Sequence, residues 1–191
     1  LCMGKRHTGA FLFCLAGMGM CLLSAYLNTF LAALYGADAF AATVEIAPVV
    51  EEGMKLLPLL FYLLVFEPQA RQIGIAAVIT ALSFATFENI CYLIQNGAAH
   101  FSFIFFRGIG TGAMHVICGA IVGGGLAYVW RRTWLKIAGT CGLLGAAITF
   151  HAIYNLLIAY GGTAQYIAYL LPVGILAAGK LIARYLKAEE S

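Results

Sequence analysis

The sequence predicts an all-α fold, a polytopic integral membrane helical bundle of about six transmembrane helices, and three observations predict it. Of the 191 residues, 63% are hydrophobic and only 10% are charged, and the mean hydropathy is +0.93, far above that of a soluble domain. Apolar runs near or above the ~18 to 20 residues that cross a bilayer recur at roughly 11–34, 44–65, 72–94, 108–130, 135–160 and 164–186. No stretch shows the ~10-residue alternation of a membrane barrel, and only helices or closed barrels satisfy their own backbone in lipid. Short connections leave no room for a soluble domain, so residues 1–191 read as one membrane-embedded domain.

The runs are separated by legible breaks: "GADAFAA" (36–42), "EPQARQ" (67–72), "QNGAAH" (95–100), "RRTWLK" (131–136) and "GGTAQ" (161–165). The first run follows a basic "KRH", which fits a first span and equally a signal peptide whose removal would leave the other five helices oriented as before. The second contains "PVVEEGMKLLPLL", in which Pro48 and Pro58 each remove a backbone bond, predicting a helix bent or locally opened there. The fourth is rich in glycine, but "GTGAMHVICGAIVGGG" lies inside a span, where Gly119 and Gly123 form a small-xxx-small pair suited to close helix packing.

Lys and Arg set the orientation. With the N-terminus cytoplasmic, that side collects Lys5, Arg6, Arg71, Arg131, Arg132, Lys136, Arg184 and Lys187, with Lys180 reaching it by snorkelling. The other side holds Asp38 and His100, with Arg107 at the mouth of the fourth helix as an anchor or phosphate contact. Both termini are therefore placed in the cytoplasm of a multi-pass cell-membrane protein. The net charge of +3 is this topological bias and gives no ground for a nucleic-acid partner; the partner it implies is the lipid bilayer. Cys2, Cys14, Cys21, Cys91, Cys118 and Cys141 contain no CxxC pair and read as small buried hydrophobes, Cys118 lying three residues after His115.

Ionisable groups inside a span cost ~2.5 to 3.5 kcal/mol each and mark function by default. Here they are Glu51, Glu52 and Lys55 in the second run, Glu88 in the third ("FATFENI"), His115 in the fourth and His151 in the fifth ("FHAIYN"). Counting residues from the outer ends places Glu51, Glu52, Glu88, His115 and His151 in one layer, roughly 9 to 14 Å below the extracytoplasmic boundary. Glu51 and Lys55 are four apart, so the ammonium is expected to neutralise that carboxylate. Glu51 and Glu52 point ~100° apart and cannot do the same job. Asn155, four residues after His151, could donate its amide to a substrate carbonyl or developing oxyanion.

Two imidazoles and a carboxylate suit Zn²⁺ or a similar ion, and a further carboxylate can take a proton from its water. The same groups without metal could run general-base attack of water. Glu and His chains also relay protons or pass metal ions, so a transporter is the alternative, and a noncatalytic scaffold a third. Transport predicts groups spread through the depth of the bilayer, whereas here they gather on one side.

"EEGMK" matches EExxK, "FATFEN" matches FxxxEN and "HAIYN" matches HxxxN, in that order, with His115 on the intervening helix. The layout resembles the PrsW family of intramembrane proteases, and is similar to that of the CAAX prenyl endopeptidases with their EExxxR, FxxxH and HxxxN motifs. It covers about residues 40–160. The resemblance implies a multi-pass protease that cuts a membrane-anchored protein substrate with a single transmembrane helix, of the anti-sigma-factor type, on its extracytoplasmic side. By position it makes Glu51 and Glu52 the essential first pair, Glu88 the second-motif residue, and His151 with Asn155 the last motif. Relative to the CAAX enzymes, Glu88 replaces a His and Lys55 an Arg, one residue earlier.

The expectation carried forward is peptide hydrolysis near the outer face. Glu88, His115 and His151 hold a divalent metal, Zn²⁺; Glu51 is general base on the metal-bound water, with Glu52 the alternative candidate for that role. Glu52 is otherwise a further ligand or orienter, Asn155 stabilises the oxyanion, and Lys55 tunes the Glu51 side.

Overall fold

The computed structural model describes residues 5–97 and 101–189; Cys2 and His100 lie outside them. Helix α1 (Lys5–Tyr35) is followed by the single turn α2 (Ala39–Ala41), a wide π-helical turn (Ala42–Ile46) and α3 (Ala47–Phe66). Then come α4 (Ala70–Asn96), α5 (Phe101–Val129), a 3₁₀ turn (Thr133–Leu135), α6 (Lys136–Tyr160) and α7 (Gly162–Glu189). Among the described residues five helices are long and apolar enough to cross a membrane. The sixth long helix, α3, carries Glu51, Glu52 and Lys55 and turns them inward.

Most of the expected breaks are where the helices end, with two differences. The stretch 36–42 is only partly a break, because Asp38 Oδ1 accepts the Ala41 N–H and starts the helix at Ala39. α5 begins at Phe101, before the expected 108. The apolar residues ahead of Arg107 continue the helix, so Arg107 stands within α5 instead of at its mouth. The connection between α6 and α7 is tight: Gly161 and Gly162 take φ of 73° and 56°, which glycine adopts without Cβ strain.

Helix α5 is the axis of the bundle, packing on α4, α6, α7 and α3, while α1 lies across α4 and α3. Gly119 and Gly123 make the α4–α5 contact. A Cβ at Gly119 would stand 2.7 Å from Ala81 Cβ, and one at Gly123 2.5 Å from Ala77 Cβ, so the small-xxx-small pair does bring two backbones together. Met114, Cys118, Leu126 and Ala147 are fully buried, while Phe30, Phe61, Leu64, Ile137 and Leu170 point outward, the distribution of a chain whose solvent is hydrocarbon. Of the described cysteines, Cys21 and Cys118 are buried as expected, but Cys141 is exposed, since a lipid-facing surface accepts a small apolar thiol as readily as the interior.

Candidate active site

The chain turns Glu52, Lys55, Glu88, His115 and His151 toward one another from α3, α4, α5 and α6, although as many as 99 residues separate them. His151 Nδ1 lies 2.8 Å from Glu52 Oε1, and Lys55 Nζ donates to the same oxygen at 2.6 Å. Lys55 Nζ is also 2.8 Å from His115 Nδ1. His115 Nε2 is 2.7 Å from Glu88 Oε2, and Arg107 Nη2 is 3.5 Å from Glu88 Oε1. This makes one polar line, His151–Glu52–Lys55–His115–Glu88–Arg107. Its inner members are almost wholly enclosed, at 2% exposure for His151, 3% for Glu52, 5% for Lys55 and 0% for His115. Each would be strongly unfavourable in lipid alone, and each is tolerable because the next one pairs with it.

With Glu52 and Glu88 as carboxylates, the partners assign the hydrogen positions. A carboxylate only accepts, so the His151 proton sits on Nδ1 toward Glu52, and Nε2 keeps its lone pair. That nitrogen faces Glu51 Oε2 at 3.8 Å. With Lys55 an ammonium, which has donors alone, His115 Nδ1 accepts from it and Nε2–H donates to Glu88.

The expected pairing of Lys55 with Glu51 is not the one formed. Lys55 bonds Glu52, three residues back, because its side chain is drawn toward His115 on α5. Glu51, about 100° round the helix, faces α1, where Asn28 Nδ2 donates to its Oε1 at 3.3 Å. Arg107, read as an interfacial anchor, sits on Glu88 and stacks its guanidinium 3.7 Å from the Tyr92 ring centroid. Asn155 Nδ2 donates at 2.9 Å to the carbonyl of Thr43 in the wide turn. Cys118 turns its thiol to Met114 Sδ and Ala147 O.

Sequence reasoning overlooked Asn28 and gave no role to Phe84, the first residue of the FxxxEN match. The Phe84 ring lies 5.3 Å from the His115 ring and 4.9 Å from Lys55 Nζ, walling the cluster on the α4 side. Asn28 had a signal. It is a lone amide in an apolar run, six residues from that run's end, which at 1.5 Å per residue is about 9 Å deep, the layer of the acids.

Among the described residues, the donors that close to within 4.8 Å of one another as a possible metal group are those of Glu51, His115 and His151. Glu88, expected among the ligands, is hydrogen-bonded to His115. The donor set fits a divalent ion: His151 is held through Nδ1 by a carboxylate with Nε2 free, as metal-ligating histidines are, and Glu51 stands opposite it. His115 would join by exchanging one of its two present hydrogen bonds for the ion.

No curated protein and no solved structure matches the chain. A family model described as PrsW family intramembrane metalloprotease matches residues 6–178. The match takes in every helix that contributes to the buried polar line, so this chain, a multi-pass membrane protease acting on membrane-embedded substrates, belongs to the PrsW family of intramembrane metalloproteases.

Proposed function

We propose that the protein is an endopeptidase that hydrolyses a peptide bond of a membrane-anchored substrate with one transmembrane helix, of the anti-sigma-factor type, near the extracytoplasmic face. The observation that carries this reading is the convergence of Glu51, His115 and His151 from three helices within 4.8 Å, enclosed by a line of residues that fixes their orientation.

Glu51, His115 and His151 would hold a zinc ion, which when bound polarises the scissile carbonyl and makes water easier to deprotonate. Glu52 holds His151 by Nδ1 and so keeps Nε2 directed at Glu51. Lys55 offsets the Glu52 charge in a place where water cannot. Glu88 is the most open carboxylate of the cluster, with 28% of its side chain exposed against 11% for Glu51 and 2% for Glu52. It is thus the group an incoming water meets, and it takes that water's proton. Arg107 beside it keeps the carboxylate aimed.

One observation favours a second reading. Both nitrogens of His115 are already hydrogen-bonded, which suits a metal-free site in which Glu51, facing His151 Nε2, is itself the general base.

Alanine at Glu51, Glu52 or His151 should abolish cleavage of a co-expressed single-span substrate while the protein still inserts and folds. Full activity in all three variants would remove the proposal. Elemental analysis of active purified protein separates the two readings: about one zinc per chain, with loss of activity in chelator, supports the first, and an active preparation without metal supports the second.

A further inference from the structure

We propose that Asn155 is a positioning residue that clamps the wide turn at the head of α3, setting the direction in which Glu51 and Glu52 face the imidazoles. The consequence for catalysis rests on the hydrolytic reading above; the clamp itself does not.

In an α-helix the carbonyl of residue 43 would receive the N–H of residue 47. Here the Ala47 N–H reaches back to Ala42 O, so the turn is one residue wider. In that wider register the next donor is residue 48, and Pro48 has no N–H. Thr43 O is thereby deprived of both backbone donors open to it. A helix carbonyl without a donor leaves the turn short of one hydrogen bond, and at this exposed position Asn155 Nδ2 supplies the missing donor from α6 at 2.9 Å.

Asn155 lies one helical turn beyond His151 on α6, so one helix provides both an imidazole of the cluster and the clamp on the strand of chain that carries the acids. The wide turn matters because an extra residue turns everything after it by about 100° relative to a plain helix from the same start. Glu51 follows the turn by five residues. If the Thr43 carbonyl were released, the turn would recover its bond by closing to α-register, and Glu51, Glu52 and Lys55 would swing together away from Asn28, His151 and His115. Asn155 then acts through the backbone, and its amide is engaged before any oxyanion forms.

A double-mutant cycle between Asn155→Ala and Pro48→Ala tests this, because alanine at 48 restores an N–H for Thr43 O. Two quantities are read on the full-length protein: the thermal midpoint in detergent and kcat for a single-span substrate. Asn155→Ala should lower the midpoint by about 2–4 °C and kcat about tenfold, with KM unchanged. Adding Pro48→Ala should return most of both losses. If Asn155→Ala fails to fold, Asn155→Asp, equal in size but without the amide donor, takes its place with the same expectation of recovery. Two outcomes would overturn the clamp: additive losses with no recovery, or a fall in kcat with an unmoved midpoint, which is what an oxyanion donor gives. If the wild-type protein cleaves nothing, the midpoint cycle still decides on the clamp, so its failure and that of the hydrolytic reading are distinguishable.

Discussion

Glu52 Oε1 receives both Lys55 and His151, so its charge does two things at once. It offsets a buried ammonium and holds an imidazole in one tautomer. Glu52→Gln keeps the shape and removes both. An amide presents either an N–H that clashes with Nδ1–H or an oxygen too weak to hold it, and the ring proton is free to move to Nε2. The expected result is a loss of about 10–100-fold in metal affinity or activity, read by metal titration of purified protein and by cleavage. Asn28→Ala should do less, about fivefold in cleavage rate, because its bond to Glu51 is single and long at 3.3 Å. At this scale the sequence was a good guide to which residues come together and a poor one to their partners. The spacing of Glu51 and Lys55 allowed an ion pair, but on a helix residues three and four apart are both neighbours. The choice fell to His115, 60 positions away.

The helices themselves were legible because each must bury about 20 residues of apolar side chain in lipid, a requirement local in sequence. Their contacts are less local, yet the α4–α5 seam could be anticipated from Gly119 and Gly123. Gly123→Val would force a Cβ onto Ala77 Cβ, already at 2.5 Å from the position it would take. This should destabilise the bundle by about 1–3 kcal/mol and lower the thermal midpoint, with cleavage falling as Glu88 on α4 is pushed from His115 on α5. Gly124→Ala meets nothing within 4 Å and should leave both unchanged. Equal effects of the two substitutions would show that the seam is looser than drawn. The head of α3 shows the converse. Pro48 and Pro58 both suggested opening, but the chain opens before Pro48 and runs through Pro58 to Phe66. The difference is that Asn155 is at hand to satisfy the carbonyl freed at one of them.

For the whole molecule, alternating helix directions put the end of α1, the start of α3, the end of α4, the start of α5 and the end of α6 at one face of the bundle. The buried polar line lies toward that face. Arg71, Arg131, Arg132 and Lys136 belong to the connections at the opposite face, a bias that supports the proposal of an extracytoplasmic site. A reporter active only outside the cytoplasm should be silent when fused after residue 189 and active when inserted in the connection at 36–38. The reverse pattern would move the proposed cleavage to the cytoplasmic side.

The sequence by itself determined that the chain crosses a membrane in helices, that its few intramembrane acids and imidazoles share a depth, and that three short motifs follow the order of a protease family. These are properties of composition, length and one-dimensional spacing, which hydrocarbon imposes segment by segment. Only the tertiary structure decided that Lys55 bonds Glu52 instead of Glu51, that donor atoms of Glu51 and the two histidines lie within 4.8 Å of one another, and that Asn155 bonds the Thr43 carbonyl. Depth is additive along one helix. Rotation about its axis, and therefore which side chain meets which, is set by the neighbours against which that helix packs.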